Sequence, residues 1–168
     1  MADCPEVFFL TVDGVHFRIL EVRKDPGTKW YSEKFNGPGL AYEIAVALWH
    51  NQIVWVNGPF PAGSNPDIVI YRKALKDMIP AGKKVIADKG YRGEPETLSI
   101  PNDLDSAPVK DLKRRAKARQ ETVNNRLKMF NVLKGTFRHD VSKHQVVLEA
   151  CLVCVQFNME CENPLFEV

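Results

Sequence analysis

Residues 8–22 read FFLTVDGVHFRILEV. In FFLTVD the residues alternate, with Phe9, Thr11 and Asp13 on one face and Phe8, Leu10 and Val12 on the other, which is the period of a strand. After Gly14 the alternation resumes through VHFRILEV. The two runs therefore form either a hairpin or one bent strand, and Gly14 marks a bend or a close backbone approach. Downstream, KDPGTKWYSEKFNGPGL (24–40) carries the turn signals DPG and NGPG. YEIAVALW (42–49) alternates again and NQIVWVNG (51–58) follows a short polar break, which predicts a second antiparallel pair. GPFPAGSNP (58–66) ends the strand block and a helix follows: Ser64 or Asn65 caps, Pro66 takes the first helical position, and Ile68, Tyr71, Leu75 and Ile79 recur at helical spacing. That helix stops before PAGKK. KVIAD (84–88) reads as a short buried strand, KGYRG as a loop, and 94–106 as an irregular connection. Pro108 then opens a long helix to about Lys134, and a strongly apolar helix covers roughly 141–158. A strand block followed by helix, strand, helix, helix is an α/β layer architecture, not a bundle or a sandwich.

The chain has 168 residues, 45% of them apolar and 26% charged. That length suits about one domain with a real core, and the composition excludes disorder and collagen. No apolar run approaches the roughly 18 residues of a membrane span, so no membrane association is expected. The opening MADCPEVFFLTV has no basic region before its short apolar stretch, which argues against secretion. Four cysteines (Cys4, Cys151, Cys154, Cys161) are too sparse for a disulfide scaffold and fit a reducing compartment. Net charge is +2, but residues 107–128 hold eight Lys/Arg against two Asp/Glu. Charge concentrated in one segment points either to a polyanionic partner or to a solvated helix face.

Three acids occupy positions that a core strand or a long helix would present. Asp13 ends one apolar run, Asp88 ends VIAD, and Glu121 lies within QETVNNRLK. An acid at a buried strand tip is costly unless it is paired or bound to a cation, and converging acids raise one another's pKa. A divalent metal removes that conflict. Two such ions roughly 3.5–4 Å apart can clamp both the attacking and the leaving oxygen of a phosphodiester, and carboxylate oxygens suit Mg²⁺ or Mn²⁺. Each acid taken alone equally fits a turn cap or a solvated helix face, and spacing does not bring the three together in space.

Four ordered motifs, TVDGVHF (11–17), GSNPD (63–67), ADKGYRG (87–93) and ETVNNRLKMF (121–130), resemble the DDE superfamily endonuclease domain, and most closely the PIF/Harbinger-like transposase group. The resemblance covers residues 7–168. It implies an RNase H-like fold, a mixed sheet flanked by helices, in one endonuclease domain over 1–168, with metal-dependent DNA cleavage and strand transfer. Asp13 matches the first family Asp, Asp88 the second and Glu121 the closing Glu, so these three are the expected catalytic metal ligands. Asp67 matches a further acid that this group carries between the first two and is expected to assist them. The intervals of 54, 21 and 33 residues resemble the family's proportions. Arg114 and Lys117 stand where related bacterial transposases place Tyr and Arg, while the Lys seven residues after the Glu is present as Lys128. Val15 stands where Thr is commoner.

On a helix Glu121, Asn124, Asn125 and Lys128 align on one face, so Glu121 can hold metal while Lys128 reaches a phosphate. Lys113, Arg114, Lys117 and Arg119 precede them and are expected to track the DNA backbone, making binding salt-dependent. Lys89, Tyr91 and Arg92 follow Asp88 within reach of DNA, although Tyr91 equally suits packing of its loop. The Cys151/Cys154 pair with His139 and His144 allows a zinc module, but core packing of the cysteines is the expectation. His16 points away from Asp13 and reads as structural. Glu94, Glu96, Asp103 and Asp105 read as solvated. Trp30, Trp49 and Trp55 read as core or rim. KRRAKAR (113–119) resembles a nuclear-import cluster, which suggests the nucleus. The chain starts too close to Asp13 for the helix-turn-helix region of full-length relatives, so targeting would fall to a separate, Myb-like partner. An oligomer remains compatible with the sequence. The rival is a non-enzyme: a DNA- or protein-binding module derived from a transposase, with fold and basic helix retained and cleavage lost.

Overall fold

A computed structural model describes residues 5–168, so Cys4 lies outside the described residues. The first alternating run and its continuation form one strand, β1 (Phe8–Arg18), that passes through Gly14 without turning back. β1 pairs antiparallel with β3 (Gly37–Ala47) over Leu10↔Ala47 to Arg18↔Gly39. β3 pairs antiparallel with β4 (Ile53–Pro61), the hairpin expected from the second alternating pair. Between β1 and β3 lie a turn of helix, α1 (Gly27–Trp30), and a two-residue strand, β2 (Tyr31–Ser32), that also pairs with β3.

The chain then crosses over through α2 (Asp67–Lys73) and returns as β5 (Lys84–Ile86), parallel to β1. β6 (Leu98–Ser99) adds in parallel to β5, inside the stretch that the sequence suggests is irregular. The sheet thus runs β3-β1-β5-β6, with β2 and β4 both paired to β3. A long α3 (Ala107–Leu127), a single-turn α4 (Asn131–Lys134) and α5 (His144–Cys161) complete the chain. This mixed sheet flanked by helices is the expected RNase H-like architecture.

Strand alternation sends two apolar sets to opposite faces of the sheet. Val15, Phe17, Tyr42, Ile44 and Val46 meet Val123 and Leu127 of α3 and Leu148, Leu152 and Val155 of α5. Leu10, Val12, Ala45 and Ala47 meet Tyr71, Leu75 and Tyr91 on the α2 side. Phe8 departs from its expected partners: it packs with Val109, Leu112 and Ala116 of α3, because the β1–β5 register shifts between Phe8 and Leu10. A bulge of this kind re-aims a side chain without ending the strand.

Two helices are shorter than their periodicity suggests. Pro66 stands just before α2 instead of in its first turn, and the helix breaks at Ala74 (φ −151°) before a 3₁₀ turn at Leu75–Met78. The long basic helix stops at Leu127, and extended Phe130 separates it from α4. In α5 only Cys151 of the CLVC pair is buried; Cys154 is exposed, which corrects the expectation that both pack in the core. Among the described residues no helix is long and apolar enough to cross a membrane.

Candidate active site

The parallel β1–β5 ladder ends at Thr11↔Ile86. Two residues beyond each partner stand Asp13 and Asp88, so adjacent parallel strands deliver both acids to the same sheet edge. β1 itself runs on to Arg18 against β3, so the site opens where the parallel ladder, not the strand, ends. Asp88 then turns the chain: its Oδ1 accepts from the Gly90 N–H at 2.8 Å and caps the 3₁₀ turn Lys89–Tyr91. Asp67 enters from the opposite face, as the first residue of α2. Its carboxylate lies directly over Gly14, where an added Cβ would meet Oδ1 at 2.0 Å. The backbone approach suggested by Gly14 is therefore the approach of Asp67. Asp67 Oδ2 and Asp88 Oδ1 also converge, at 3.4 and 3.1 Å from the point where a Gly90 Cβ would sit.

From below, α3 supplies amides. Asn124 Nδ2 donates to Asp13 Oδ2 at 2.8 Å, and Gln120 Nε2 donates to the Ile44 carbonyl at 3.2 Å. These contacts split the helix face that the sequence suggests. Gln120 and Asn124 are buried, whereas Arg114, Lys117, Glu121, Asn125 and Lys128 form an exposed stripe. Glu121 lines the same cleft as Asp13 and Asp88; its side chain is 58% exposed and lies 3.8 Å from Lys117.

Burial, above all, pushes the Asp13 carboxyl up to about 6; Lys34 pulls it down, and Asp67 and Asp88 push it further up. Asp67 is raised for the same leading reason, with Lys34 opposing and Asp88 adding. Lys34 is thus the cation of the cluster. Its ammonium donates to the Gly14 carbonyl and stands 3.8 Å from Asp67 Oδ2. Sequence reasoning passed over Lys34, which sits in the turn YSEKFNG with no motif around it; only the fold of the β2–β3 turn brings it to β1.

A cleft of ≈ 700 Å³ opens over Asp13 and Asp88, and Lys89, Arg92, Lys110, Arg114 and Lys117 line it. Lys89, Arg92, Arg114 and Lys117 are exposed there, as a DNA-contacting role requires. Lys128 is exposed but stands outside the residues lining the cleft. Two basic residues expected on DNA are corrected. Lys113 is 5% exposed, bonded to the Ile100 carbonyl and paired with Asp105 at 2.8 Å, so neither Lys113 nor Asp105 is solvated. Arg119 is 2% exposed and donates to the carbonyls of Ala47, His50 and Phe166. Both turn inward because they fall on the apolar row of α3 with Leu112, Ala116 and Val123. Arg115 and Arg126 join in holding the C-terminal segment through Glu167 and Asn163 carbonyls. Lys113, Arg115 and Arg119 of KRRAKAR are thereby engaged within the fold. Glu94, expected in solvent, is only 15% exposed and paired with Arg72 and Lys76.

Behind the cluster, across from Gly14, Glu43 is fully buried. Trp55 Nε1 donates to its Oε1 at 2.9 Å, Oε2 has no partner, and burial pushes the carboxyl up to about 7. Neither Glu43 nor Trp55 carries a sequence signal beyond strand alternation. Tyr91 is fully buried and edge-on to Tyr71 (6.2 Å, 82°), so it packs its loop and does not face DNA. His16 bonds the Ser32 hydroxyl at 2.7 Å, and its Nε2 stands 4.0 Å from Asp67 Oδ1.

Among the described residues no three acids, histidines or cysteines stand close enough to hold a metal as they are. The donor chemistry nevertheless fits a hard divalent cation: Asp13, Asp67 and Asp88 are oxygen donors, half-buried, mutually repelling and counterbalanced by one lysine. It does not fit zinc. His144 is buried and bonded to the Tyr42 hydroxyl at 2.9 Å, and Cys154 faces outward.

A mixed sheet of this order, with two acids just past the end of its parallel β1–β5 ladder and a cation-lined cleft above them, has the layout of a nuclease-type α/β domain. The sequence matches the DDE superfamily endonuclease family over residues 12–156, and the chain belongs to that family. Asp13, Asp67, Asp88 and Glu121 all lie within the matched span. No curated protein matches the chain.

Proposed function

We propose that this chain is a divalent-metal-dependent DNA endonuclease, the catalytic domain of a PIF/Harbinger-like transposase. The observation that carries the reading is the meeting of Asp13, Asp67 and Asp88 at one sheet edge beneath a cation-lined cleft. Asp13, Asp88 and Glu121 hold the metal, Mg²⁺ or Mn²⁺, with Asp67 assisting; two bound ions would stabilise charge on the attacking and leaving sides of a phosphodiester. The chain's own groups set the stage. Asn124 fixes the Asp13 carboxylate and the Gly90 N–H fixes Asp88, so both approach the substrate pre-oriented. Lys89, Arg92, Arg114 and Lys117 hold DNA phosphates along the cleft, with Lys128 at the C-cap of α3. Water as nucleophile gives a cut strand; a DNA 3′-hydroxyl gives strand transfer. A nuclear location and a separate Myb-like targeting protein accompany this reading.

The test is Mn²⁺-dependent nicking of supercoiled plasmid by the parent and by Asp88→Asn, which keeps an acceptor for Gly90. Loss of nicking in the variant is expected; intact metal-dependent nicking would sink the assignment. A second reading, a DNA-binding module without cleavage, is favoured by one observation: the Glu121 carboxylate is 58% exposed and lies 3.8 Å from Lys117. It predicts salt-dependent DNA binding in EDTA with no nicking in Mn²⁺ at any concentration.

A further inference from the structure

Lys34 occupies a place that neither the motifs nor the family match assigns. Two cavities meet at it. The main cleft contains Asp13 and Asp88, and a second of ≈ 390 Å³ contains Asp67, His16 and Asn65; Lys34 lines both. Its ammonium donates to the carbonyl of Gly14, the residue between Asp13 and the Asp67 carboxylate, and it lies 3.8 Å from Asp67 Oδ2. It is the basic residue that pulls down both the Asp13 and the Asp67 carboxyl groups. Its side chain is 45% exposed, so solvent reaches it from the cleft.

We propose that the Lys34 ammonium is the resident counter-cation of the carboxylate cluster, and that it and a divalent metal ion are alternative occupants of the space beside Asp67. The inference rests on the metal-dependent reading above. Three half-buried carboxylates without a cation repel one another, and a lysine that neutralises them in the free protein must compete with an arriving dication. Displaced into the main cleft, the same ammonium is free to meet a DNA phosphate. Lys34 is in this sense a positioning residue: it holds the cluster together until metal replaces it.

The experiment is a Mn²⁺ titration followed by thermal unfolding, without DNA and at pH 8. The proteins are the parent, Lys34→Gln, Lys34→Arg and Asp88→Asn. Lys34→Gln is expected to melt lower than the parent in EDTA yet bind Mn²⁺ about tenfold more tightly, the size of one modest charge–charge interaction. Lys34→Arg, which keeps the charge, is expected to retain the parent dissociation constant. A purely structural lysine would lower the melting point without tightening Mn²⁺ binding, and an equal or weaker dissociation constant in Lys34→Gln overturns the proposal. If the parent itself shows no Mn²⁺ shift, the metal reading fails and takes this inference with it. A parent shift that is absent in Asp88→Asn but unchanged in Lys34→Gln removes the inference alone. Should Lys34→Gln not fold, acylation of the parent by an amine reagent, read at Lys34 by mass spectrometry, decides. Labelling that rises severalfold with Mn²⁺, relative to Lys24, supports displacement; unchanged or reduced labelling refutes it.

Discussion

Lys113 and Lys117 lie four residues apart on α3, carry the same charge and both border the cleft, yet one is buried against Asp105 and the other is exposed. Their substitutions should separate accordingly. Lys113→Ala leaves Asp105 buried and unpaired, so urea unfolding should show a loss of about 3–5 kcal/mol. The salt dependence of DNA binding should stay as in the parent. Lys117→Ala should change stability by no more than about 0.5 kcal/mol while lowering the salt slope by about one phosphate contact. A third residue tests the shape of the site. A methyl group at position 14 would overlap the Asp67 carboxylate. Gly14→Ala should therefore cost roughly 1–3 kcal/mol by overpacking and weaken Mn²⁺ binding, both measurable in one thermal titration. A Gly14→Ala protein as stable as the parent, with unchanged metal binding, would show that Asp67 need not lie against β1.

Among elements, α3 decides most. Its sequence correctly signals a long helix, and its buried row (Val109, Leu112, Ala116, Val123, Leu127) follows ordinary helical spacing. Its basic run is misleading, because the apolar row continues through Lys113 and Arg119, where long stems lie along the core and the charged heads find carbonyls. Arg119 joins three chain segments: the end of β3, the turn after it, and the C-terminal segment. Arg119→Ala should destabilise by about 2–4 kcal/mol and free residues 163–168, detectable as faster proteolysis of the C-terminus. α2 shows the reverse. Its periodicity reads as one helix to Ile79, and the break at Ala74 has no signal in the residues around it.

For the molecule as a whole, buried titratable groups pull stability in opposite directions with pH. Burial lowers the His144 pKa to about 4. Between about pH 6.5 and 4 the unfolded chain takes up a proton that the folded one refuses, so stability falls on acidification, by about 3 kcal/mol at the lower end. His144→Phe should remove about half of that arm, because burial lowers His16 to about 4 as well. Glu43 acts with the other sign: raised to about 7, it favours folding as pH falls from about 7 towards 4.5, because the folded state then holds the extra proton. Glu43→Gln, neutral throughout, should stabilise the protein at pH 8 by about 1–3 kcal/mol and much less at pH 5. Thermal midpoints in EDTA across this range check both, and a pH profile identical in the parent and both variants would refute them.

The sequence by itself determined the strand block, the helices and the buried strand β5 that follow it, and the family, because strand alternation, turn chemistry and four short motifs are local properties; it missed β6. It also named Asp13 and Asp88, since a polar residue closing an apolar run is visible in one dimension, although β1 runs on past Asp13. Only the tertiary structure decided which groups meet. The parallel ladder ending at Thr11 and Ile86 sets Asp13 beside Asp88, and the helix crossing over the opposite face lays Asp67 on Gly14. The β2–β3 turn delivers Lys34, and the rotation of α3 presents Asn124, not Glu121, to Asp13. These are contacts between residues tens of positions apart. They depend on register, on the close approach that a missing Cβ permits and on helix rotation, and residue spacing along the chain encodes none of the three.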